Sequence, residues 1–336
     1  MIMNFQKEGE PLLKGARVLI TGGAGMLGST IANLAVRSGA LVTVLDAKFP
    51  MHEGIIFNLK DVWDKISVVE CDIRDQEVVK DAITDKDIIF NLAAQVSYGD
   101  SINDPYSDLD INCRGQLNIL EACRNFAPKA KLLFSSTRFV YGRINYSPVD
   151  ENHPFNCLSI YGIHKLAGEK YHKFYFDAYG IKTCSLRIAN PYGPRQQMKH
   201  NKYGIVNWFV RQALEGKPLT IYGKGDQIRD YIYIDDLAEA FLLAAISDKT
   251  SGEVYNVGSG QGLPFIEMAR TIATLVSGTI LQEVEWPKDR YLVETGNYIS
   301  DISKLTRDTG WQPRTNFKTG VAETIQYYRE NASAYW

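Results

Sequence analysis

Short apolar runs alternate with segments of helical periodicity through the first half of the chain. The runs are apolar on both faces, which predicts buried strands at 17–21, 41–46, 67–72, 87–93, 131–136 and 182–188. Apolar residues recurring every three or four positions predict helices at 26–38, 76–83, 105–126 and 158–179. Buried strands separated by helices form parallel sheets covered on both faces. The pattern therefore predicts an α/β fold with a Rossmann-type, doubly wound parallel sheet.

The pattern changes after residue 190. A stretch rich in Pro, Gly and polar residues at 190–204 predicts an ordered loop, and shorter elements follow it. These are helices at 205–215, 235–246, 265–276 and 318–330 and strands at 219–223 and 253–258. We interpret residues 1–188 as a dinucleotide-binding domain, with 229–258 interleaved, and residues 189–336 as a smaller mixed α/β substrate domain.

Composition narrows the possible classes of protein. The 336 residues exceed the usual size of one hydrophobic core, in agreement with two domains. Lys and Arg (37) nearly balance Asp and Glu (39), and a formal charge of −2 argues against a nucleic-acid-binding protein. Scattered cysteines and histidines favour reduced thiols in a cytoplasmic protein and no metal site. No apolar stretch approaches ~20 residues, which argues against a membrane span.

A glycine-rich loop at 21–28 joins the first predicted strand to the first helix. Gly22 permits a tight turn, Gly25 lets a pyrophosphate approach the backbone, and Gly28 allows close packing of helix on strand. Asp46 ends the second strand, where a carboxylate accepts hydrogen bonds from a ribose 2′-hydroxyl and repels a 2′-phosphate. This arrangement predicts NAD rather than NADP as the cofactor. The alternative for Asp46 is the cap of a turn.

Tyr161 and Lys165 lie four residues apart near the start of a predicted helix and therefore project from one face. A phenol with a pKa near ~10 is a poor base at neutral pH, but an adjacent ammonium and a positive nicotinamide ring lower that pKa. Thr137 follows the fifth strand, at the sheet edge where ligands bind, and could relay a proton from a sugar hydroxyl. We expect His164 to be a surface or partly packed residue.

Taken together, these motifs resemble the extended short-chain dehydrogenase/reductase family, in its sugar-nucleotide epimerase and dehydratase branch. The resemblance covers nearly the whole chain and rests on motifs that occur in the family's order. They are TGGAGMLG (21–28), NLAAQ (91–95), SSTRFVYG (135–142), YGIHK (161–165), RIANPYGPR (187–195) and RDYIYIDDLA (229–238).

The resemblance implies a role for particular residues. Thr137, Tyr161 and Lys165 correspond to the catalytic hydroxyl, base and lysine. The implied cofactor contacts are Gly22, Gly25, Met26, Leu27, Gly28, Asp46, Asp72, Ile73, Leu92, Ala93, Tyr161 and Lys165. The implied substrate contacts, chiefly to a diphosphate, are Thr137, Asn190, Arg229 and Arg290. Alternatives stay open for three of them: Asp72 as a helix cap, Arg229 in a salt bridge with Asp230, and Arg290 outside the substrate site.

Arg138 and Phe139 depart from the dehydratase pattern. Dehydratases of the family carry an acidic pair there, and neither Arg nor Phe can transfer the protons of a water elimination. The resemblance therefore implies an NAD-dependent epimerase of a UDP-, CDP- or GDP-sugar, acting at C4 through a transient 4-keto sugar. The alternatives are a 2-epimerase, a 4-dehydrogenase or 4-keto-reductase, and a non-catalytic NAD sensor.

Apolar residues on more than one face of the helices at 105–126 and 158–179 predict a homodimer. The residues concerned are Leu117, Leu120, Tyr171 and Phe174. The alternative is that they pack within the chain.

Overall fold

The computed structural model describes residues 6–7, 10–47, 56–287, 291 and 294–336. The strands are β1 (Gln6–Lys7), β2 (Glu10–Pro11), β3 (Arg17–Thr21), β4 (Leu41–Asp46), β5 (Ile66–Glu70), β6 (Ile88–Asn91), β7 (Lys131–Thr137), β8 (Lys182–Ile188), β9 (Asn190–Tyr192), β10 (Leu219–Tyr222), β11 (Ile228–Tyr233), β12 (Glu253–Val257), β13 (Gly262–Pro264) and β14 (Leu281–Val284). The α-helices are α1 (Met26–Arg37), α2 (Gln76–Ile83), α3 (Tyr98–Asn103), α4 (Pro105–Leu109), α5 (Gly115–Phe126), α6 (Ile160–Tyr179), α7 (Ile205–Leu214), α8 (Ile234–Ile246), α9 (Phe265–Leu275), α10 (Ser303–Thr309) and α11 (Phe317–Asn331).

Seven parallel strands form the main sheet, in the order β12-β8-β7-β6-β3-β4-β5. The predicted doubly wound Rossmann-type fold is thereby confirmed. The chain runs outward in one direction from β3 to β5 and in the other from β6 to β12, so the order reverses between β3 and β6. Ligands of such sheets bind outside the carboxyl ends of the strands at this reversal.

Helices cover both faces of the main sheet because its strands are apolar on both sides. Along β3, Val18 and Ile20 face one core, with α1 and α8, whereas Leu19 faces the other, with α2 and α5. These residues are fully buried. The sheet is therefore a rigid support that holds the loops at its carboxyl edge.

A third hydrophobic core lies in the later part of the chain. It joins α7, α9 and α11 to the small sheets β9-β11-β13 and β10-β14. Strand β12 and helix α8, which also come from the later part, instead pack with the main sheet. The division into domains at residues 188 and 189 remains a prediction.

Two predicted elements differ from the structure. The helix predicted at 105–126 is divided, because a turn of π-helix at Asp110–Arg114 separates α4 from α5. The predicted loop at 190–204 begins with a strand, β9, which pairs in parallel with β11. Among the helices in the described ranges, none has the length and apolarity needed to cross a membrane.

Candidate active site

The glycine loop lies at the reversal of strand order, between the end of β3 and the start of α1. Gly22 adopts a positive φ of 65°, and a Cβ there would lie 2.9 Å from the amide nitrogen of Ala93. A Cβ on Gly28 would lie 2.3 Å from the Gly22 carbonyl oxygen. Both positions therefore require glycine, as the sequence analysis expected.

Gly25 differs from these two glycines because it is exposed and has a φ of −69°. It precedes α1, whose first turn contains no acidic residue and whose N-terminus receives no side-chain cap. Met26 and Leu27, both half-buried, form the start of that helix. The unpaired N–H groups at a helix N-terminus and its partial positive charge suit a phosphate group.

Asp46 lies at the carboxyl end of β4, beside this loop. Its Oδ2 accepts a hydrogen bond of 3.2 Å from the Ala24 amide. Asp46 therefore contacts the glycine loop directly, at the edge of the sheet where the predicted ribose would bind.

The turn at Leu92 and Ala93 follows the next strand of the sheet, β6. The Thr21 hydroxyl accepts hydrogen bonds from the amides of Leu92 (3.0 Å) and Ala93 (3.1 Å). The end of β3 therefore fixes the backbone of the turn against the glycine loop. Both predicted cofactor contacts lie beside Gly22.

Asp72 and Ile73 lie beyond the outer strand, β5. Asp72 forms a two-point ion pair with Arg74, which lowers the pKa of its carboxyl group through hydrogen bonding. Asp75, not Asp72, caps α2, so the alternative role of Asp72 as a helix cap is wrong. The Ile73 side chain is buried in the core.

The proposed catalytic hydroxyls meet where β7 ends and α6 begins. Ser159 caps α6 by accepting a hydrogen bond from the Gly162 amide. A Cβ on Gly162 would lie 2.8 Å from the Phe139 carbonyl oxygen, so glycine lets α6 approach the turn after Thr137. The Thr137 hydroxyl lies close enough to the Tyr161 phenol for a hydrogen-bonding interaction that lowers the pKa of the phenol. Residues 24 positions apart in the chain are thereby brought together.

Burial dominates the ionisation of Tyr161 and Lys165. It raises the pKa of Tyr161 above its usual value, and the Thr137 hydrogen bond opposes that rise. Burial lowers the pKa of Lys165 to about 7, and its Nζ lies 4.3 Å from the centre of the Phe134 ring. From the residues of the chain alone the pKa of Tyr161 is raised, because desolvation of the phenol is the largest effect. The lowering expected from an ammonium and a nicotinamide ring acting together stays a prediction.

A buried carboxylate beside this pair was missed by the sequence analysis. Asp108 accepts a hydrogen bond of 2.9 Å from Gln95, and its Oδ1 lies 2.6 Å from Nδ1 of His164. The charge of Asp108 raises the pKa of both Tyr161 and Lys165. His164 is partly packed, as expected. The only sign of this contact in the sequence was the position of His164 within the YGIHK motif.

The predicted substrate residues lie around Arg138. Its Nε donates to Asn190 Oδ1 (3.2 Å), and Asn190 Nδ2 donates to the Asp230 carbonyl (2.7 Å). Arg229 forms its salt bridge with Glu294, so the alternative pairing with Asp230 is wrong. The Asp230 carboxylate instead accepts hydrogen bonds from residues 259, 260 and 300. Arg290 lies outside the described residues.

Comparison with known proteins identifies the group to which this arrangement belongs. The model of the NAD dependent epimerase/dehydratase family matches residues 18–258. The chain belongs to this family. A putative UDP-glucose 4-epimerase of Methanocaldococcus jannaschii is 33% identical over 94% of this chain and 99% of its own length. The structure of Thermus thermophilus UDP-glucose 4-epimerase in complex with NAD has a TM-score of 0.82 and 34% identity, and the match covers 93% of this chain and 99% of that chain.

Members of the epimerase/dehydratase family with a different reaction are nearly as similar. A dTDP-glucose 4,6-dehydratase of Mycolicibacterium smegmatis is 31% identical over 94% of each chain. The chain is therefore an NAD-dependent sugar-nucleotide enzyme, and its reaction has to be argued from the site.

The residues around the glycine loop fit NAD. The exposed Gly25 and the uncapped N-terminus of α1 leave backbone N–H groups for a pyrophosphate, as described above. Asp46 places a carboxylate beside them rather than a cation that would favour a 2′-phosphate. When bound, NAD supplies a hydride acceptor that can also return the hydride.

Proposed function

We propose that this protein is an NAD-dependent epimerase of a nucleotide-diphosphate sugar, acting at C4 through a transient 4-keto sugar. The observation that carries the proposal is that Thr137 lies beside the Tyr161 phenol, one helical turn from Lys165, with Arg138 and Phe139 in place of an acidic pair. The side chains of Thr137, Tyr161 and Lys165 can transfer a proton at a sugar hydroxyl. Arg138 and Phe139 cannot act as acid and base in a dehydration.

The chain contributes the proton transfers of the reaction. Tyr161 Oη takes the proton of the C4 hydroxyl as that carbon is oxidised, and it returns the proton when the carbonyl is reduced on the opposite face. Thr137 lies beside the phenolic oxygen, and its hydrogen-bonding interaction lowers the pKa of Tyr161. For epimerisation, the keto sugar must turn over between the two transfers while its nucleotide stays bound.

The relatives support an epimerase without deciding the substrate. The Methanocaldococcus and Thermus proteins are both named as UDP-glucose 4-epimerases. A CDP-paratose 2-epimerase of Salmonella typhi is 30% identical over 93% of this chain. The 2-epimerase, which the sequence analysis left open, is therefore kept as an alternative and tested together with the 4-epimerase.

A single assay distinguishes the candidate reactions. Purified protein is incubated with UDP-, CDP- and GDP-sugars, and the anomeric and ring protons are followed by NMR while absorbance reports NADH. We expect a second sugar epimer at C4 and no accumulation of NADH. Stoichiometric NADH without interconversion would identify a dehydrogenase, inversion at C2 a 2-epimerase, and a 6-deoxy-4-keto product a dehydratase. Each of these would refute the proposed C4 epimerase.

We further propose that the enzyme is a cytoplasmic homodimer that pairs through α3, α4 and α6. Large apolar side chains are exposed on these contacting helices, including Tyr106 (80% exposed), Phe174 (56%), Ile102 (54%) and Ile163 (50%). Three of the residues first taken as signs of a dimer pack within the chain instead. Leu120 is fully buried, and Leu117 and Tyr171 pack against the same core. Phe174 alone of that set supports the interface.

A further inference from the structure

Arg138 is a buried guanidinium group beside the catalytic hydroxyls. It directly follows Thr137 in the chain and is only 6% exposed. Its guanidinium lies 4.7 Å from the centre of the Phe139 ring, and that ring meets the Tyr161 ring edge-on at 6.0 Å. The cation is thus connected to the proposed base through one aromatic side chain.

The described hydrogen bonds of Arg138 involve neutral partners. Nε donates to Asn190 Oδ1, and Nη1 donates to the Thr295 hydroxyl at 3.1 Å. Within the part of the chain that the structure describes, Arg138 forms no salt bridge and three of its five N–H groups have no acceptor. A buried guanidinium normally pairs with a carboxylate, because desolvating an uncompensated charge is costly.

The charged residues that the structure describes near Arg138 do not compensate its charge. Glu294 lies close enough to favour its charged form, but that carboxylate is already paired with Arg229. Burial and the positive charge of Arg229 together lower the pKa of Arg138 to about 10, so it stays charged at neutral pH. Among the described residues, Arg138 and Arg229 share the single carboxylate of Glu294, which leaves one positive charge in excess.

Asn190, the residue expected to reach a diphosphate, is engaged in holding this cation. Its oxygen accepts from Arg138 and its nitrogen donates to the Asp230 carbonyl. Both ends of the amide are used, which fixes its orientation. Asn190 keeps a second amide N–H, but among the described residues only Arg138 combines free donors with a charge that has no carboxylate partner.

We propose that Arg138 binds an oxyanion of the bound sugar nucleotide and thereby selects the substrate. The oxyanion is either a diphosphate oxygen or a carboxylate carried by the sugar, since a guanidinium group pairs with both through two parallel hydrogen bonds. This inference rests on the proposed function, because it assumes that a sugar nucleotide occupies the site. It assigns to Arg138 a role that the family resemblance does not imply.

The test measures ligand binding to the NAD-loaded enzyme by calorimetry. UDP, UDP-glucose and UDP-glucuronate are titrated into wild type, Arg138→Gln, Arg138→Lys and the control Arg270→Gln, an exposed arginine paired with Glu267. For Arg138→Gln we expect a dissociation constant about 10- to 100-fold higher, the range of a lost charge-assisted hydrogen bond. Arg138→Lys restores part of the affinity, and Arg270→Gln binds like wild type.

The three ligands separate the two sources of the oxyanion. Equal losses for all three indicate the diphosphate, whereas a loss confined to UDP-glucuronate indicates a sugar carboxylate. Unchanged dissociation constants in both Arg138 variants would overturn the proposal and leave the proposed function intact. If the wild type itself binds none of these ligands or their CDP and GDP counterparts, the proposed function fails as well. Should Arg138→Gln not fold, Arg138→Lys gives the comparison, because loss of the fork alone weakens a two-point contact.

Discussion

Tyr161 is held in position by contacts with two other parts of the chain. Its amide donates to the Ser101 hydroxyl at 3.1 Å, and its ring lies against Phe139. These contacts orient the phenol toward Thr137. The Thr137–Tyr161 pair is therefore held by the fold in the absence of substrate.

We expect Tyr161→Phe to lower kcat by ~10²- to 10⁴-fold, the usual contribution of a general acid–base group. The substitution removes the hydroxyl but keeps the ring packing, so folding and NAD binding should be retained. Turnover by NMR and NAD binding by fluorescence check this. Tyr171→Phe, on the same helix, is the matched control. A Tyr161→Phe protein with wild-type turnover would contradict the proposed role.

Lys165 should make stability depend on pH. Its pKa falls from 10.5 in the unfolded chain to about 7 in the folded protein because of burial. Between these values the unfolded chain binds the proton and the folded protein does not, so the free energy of unfolding rises as pH increases from about 7 toward 10.5. The destabilisation caused by burying a protonated Lys165 is complete below the folded-state pKa of about 7 and absent above the unfolded-state pKa of 10.5.

In Lys165→Met this contribution disappears, because methionine does not titrate. Urea unfolding of wild type and variant between pH ~7 and ~9.5 measures the difference in slope. Lys170→Met, which removes an exposed lysine from the same helix, should leave the slope as in wild type. Parallel curves for wild type and Lys165→Met would show that Lys165 is charged in the folded protein throughout this range.

Residues in local motifs could be recognised from the sequence, whereas contacts between residues far apart in the chain could not. Thr137, Tyr161 and Lys165 could be singled out because each lies in a local motif with a known chemical use. The environment of Arg138 could not be predicted, since Asn190 and Thr295 lie 52 and 157 positions further along the chain. The buried Asp108 was missed for the same reason, because its partner His164 is on another helix.

At the scale of elements, we expect one glycine of the glycine loop to be needed for folding and another for binding the cofactor. Gly28 faces the backbone of the loop, whereas Gly25 faces outward at the start of α1. Two glycines within one turn of helix should therefore respond differently to the same added methyl group.

Gly28→Ala should destabilise the protein by about 1–3 kcal/mol, because its Cβ would overlap the Gly22 carbonyl. Thermal unfolding without NAD measures this change. A variant that melts like wild type would mean that the loop can shift to accept the methyl group.

Gly25→Ala should change stability by less than about 1 kcal/mol, since its φ suits alanine and its Cβ would meet only the Gly22 oxygen at 3.3 Å. The methyl group would instead occupy the approach of the pyrophosphate, so we expect the dissociation constant of NAD to rise about 10-fold or more. Calorimetric titration of NAD checks this. Wild-type affinity would place the pyrophosphate elsewhere.

Elements with a strong periodic signal were predicted closely, and short ones were not. Strands at 17–21, 41–46 and 182–188 have the bounds expected from their apolar runs. The three-residue strands β9 and β13 are too short to show a period. The π-helical turn at Asp110–Arg114 spans only five residues, too few to change the apolar pattern visibly.

At the scale of the whole molecule, several large apolar side chains are exposed on the contacting helices α3, α4 and α6. If α3, α4 and α6 pair with a second copy, a charge placed there should dissociate the dimer, because burying an unpaired carboxylate is costly. We expect Phe174→Glu combined with Tyr106→Glu to yield a monomer by light scattering. Ile280→Glu, which changes an exposed apolar residue remote in sequence, should leave the mass unchanged. A wild type that is already monomeric would refute the interface.

The last strand of the main sheet, β12, begins 65 positions after the end of its neighbour β8, at residue 253 against 188. Until residues 253–257 leave the ribosome, β8 is an open edge whose N–H and C=O groups can pair with another nascent chain. A fragment that stops at residue 188 would keep this edge permanently, and it would also lack α8. We therefore expect such a fragment to aggregate, and a cofactor domain excised for study needs residues up to at least 258.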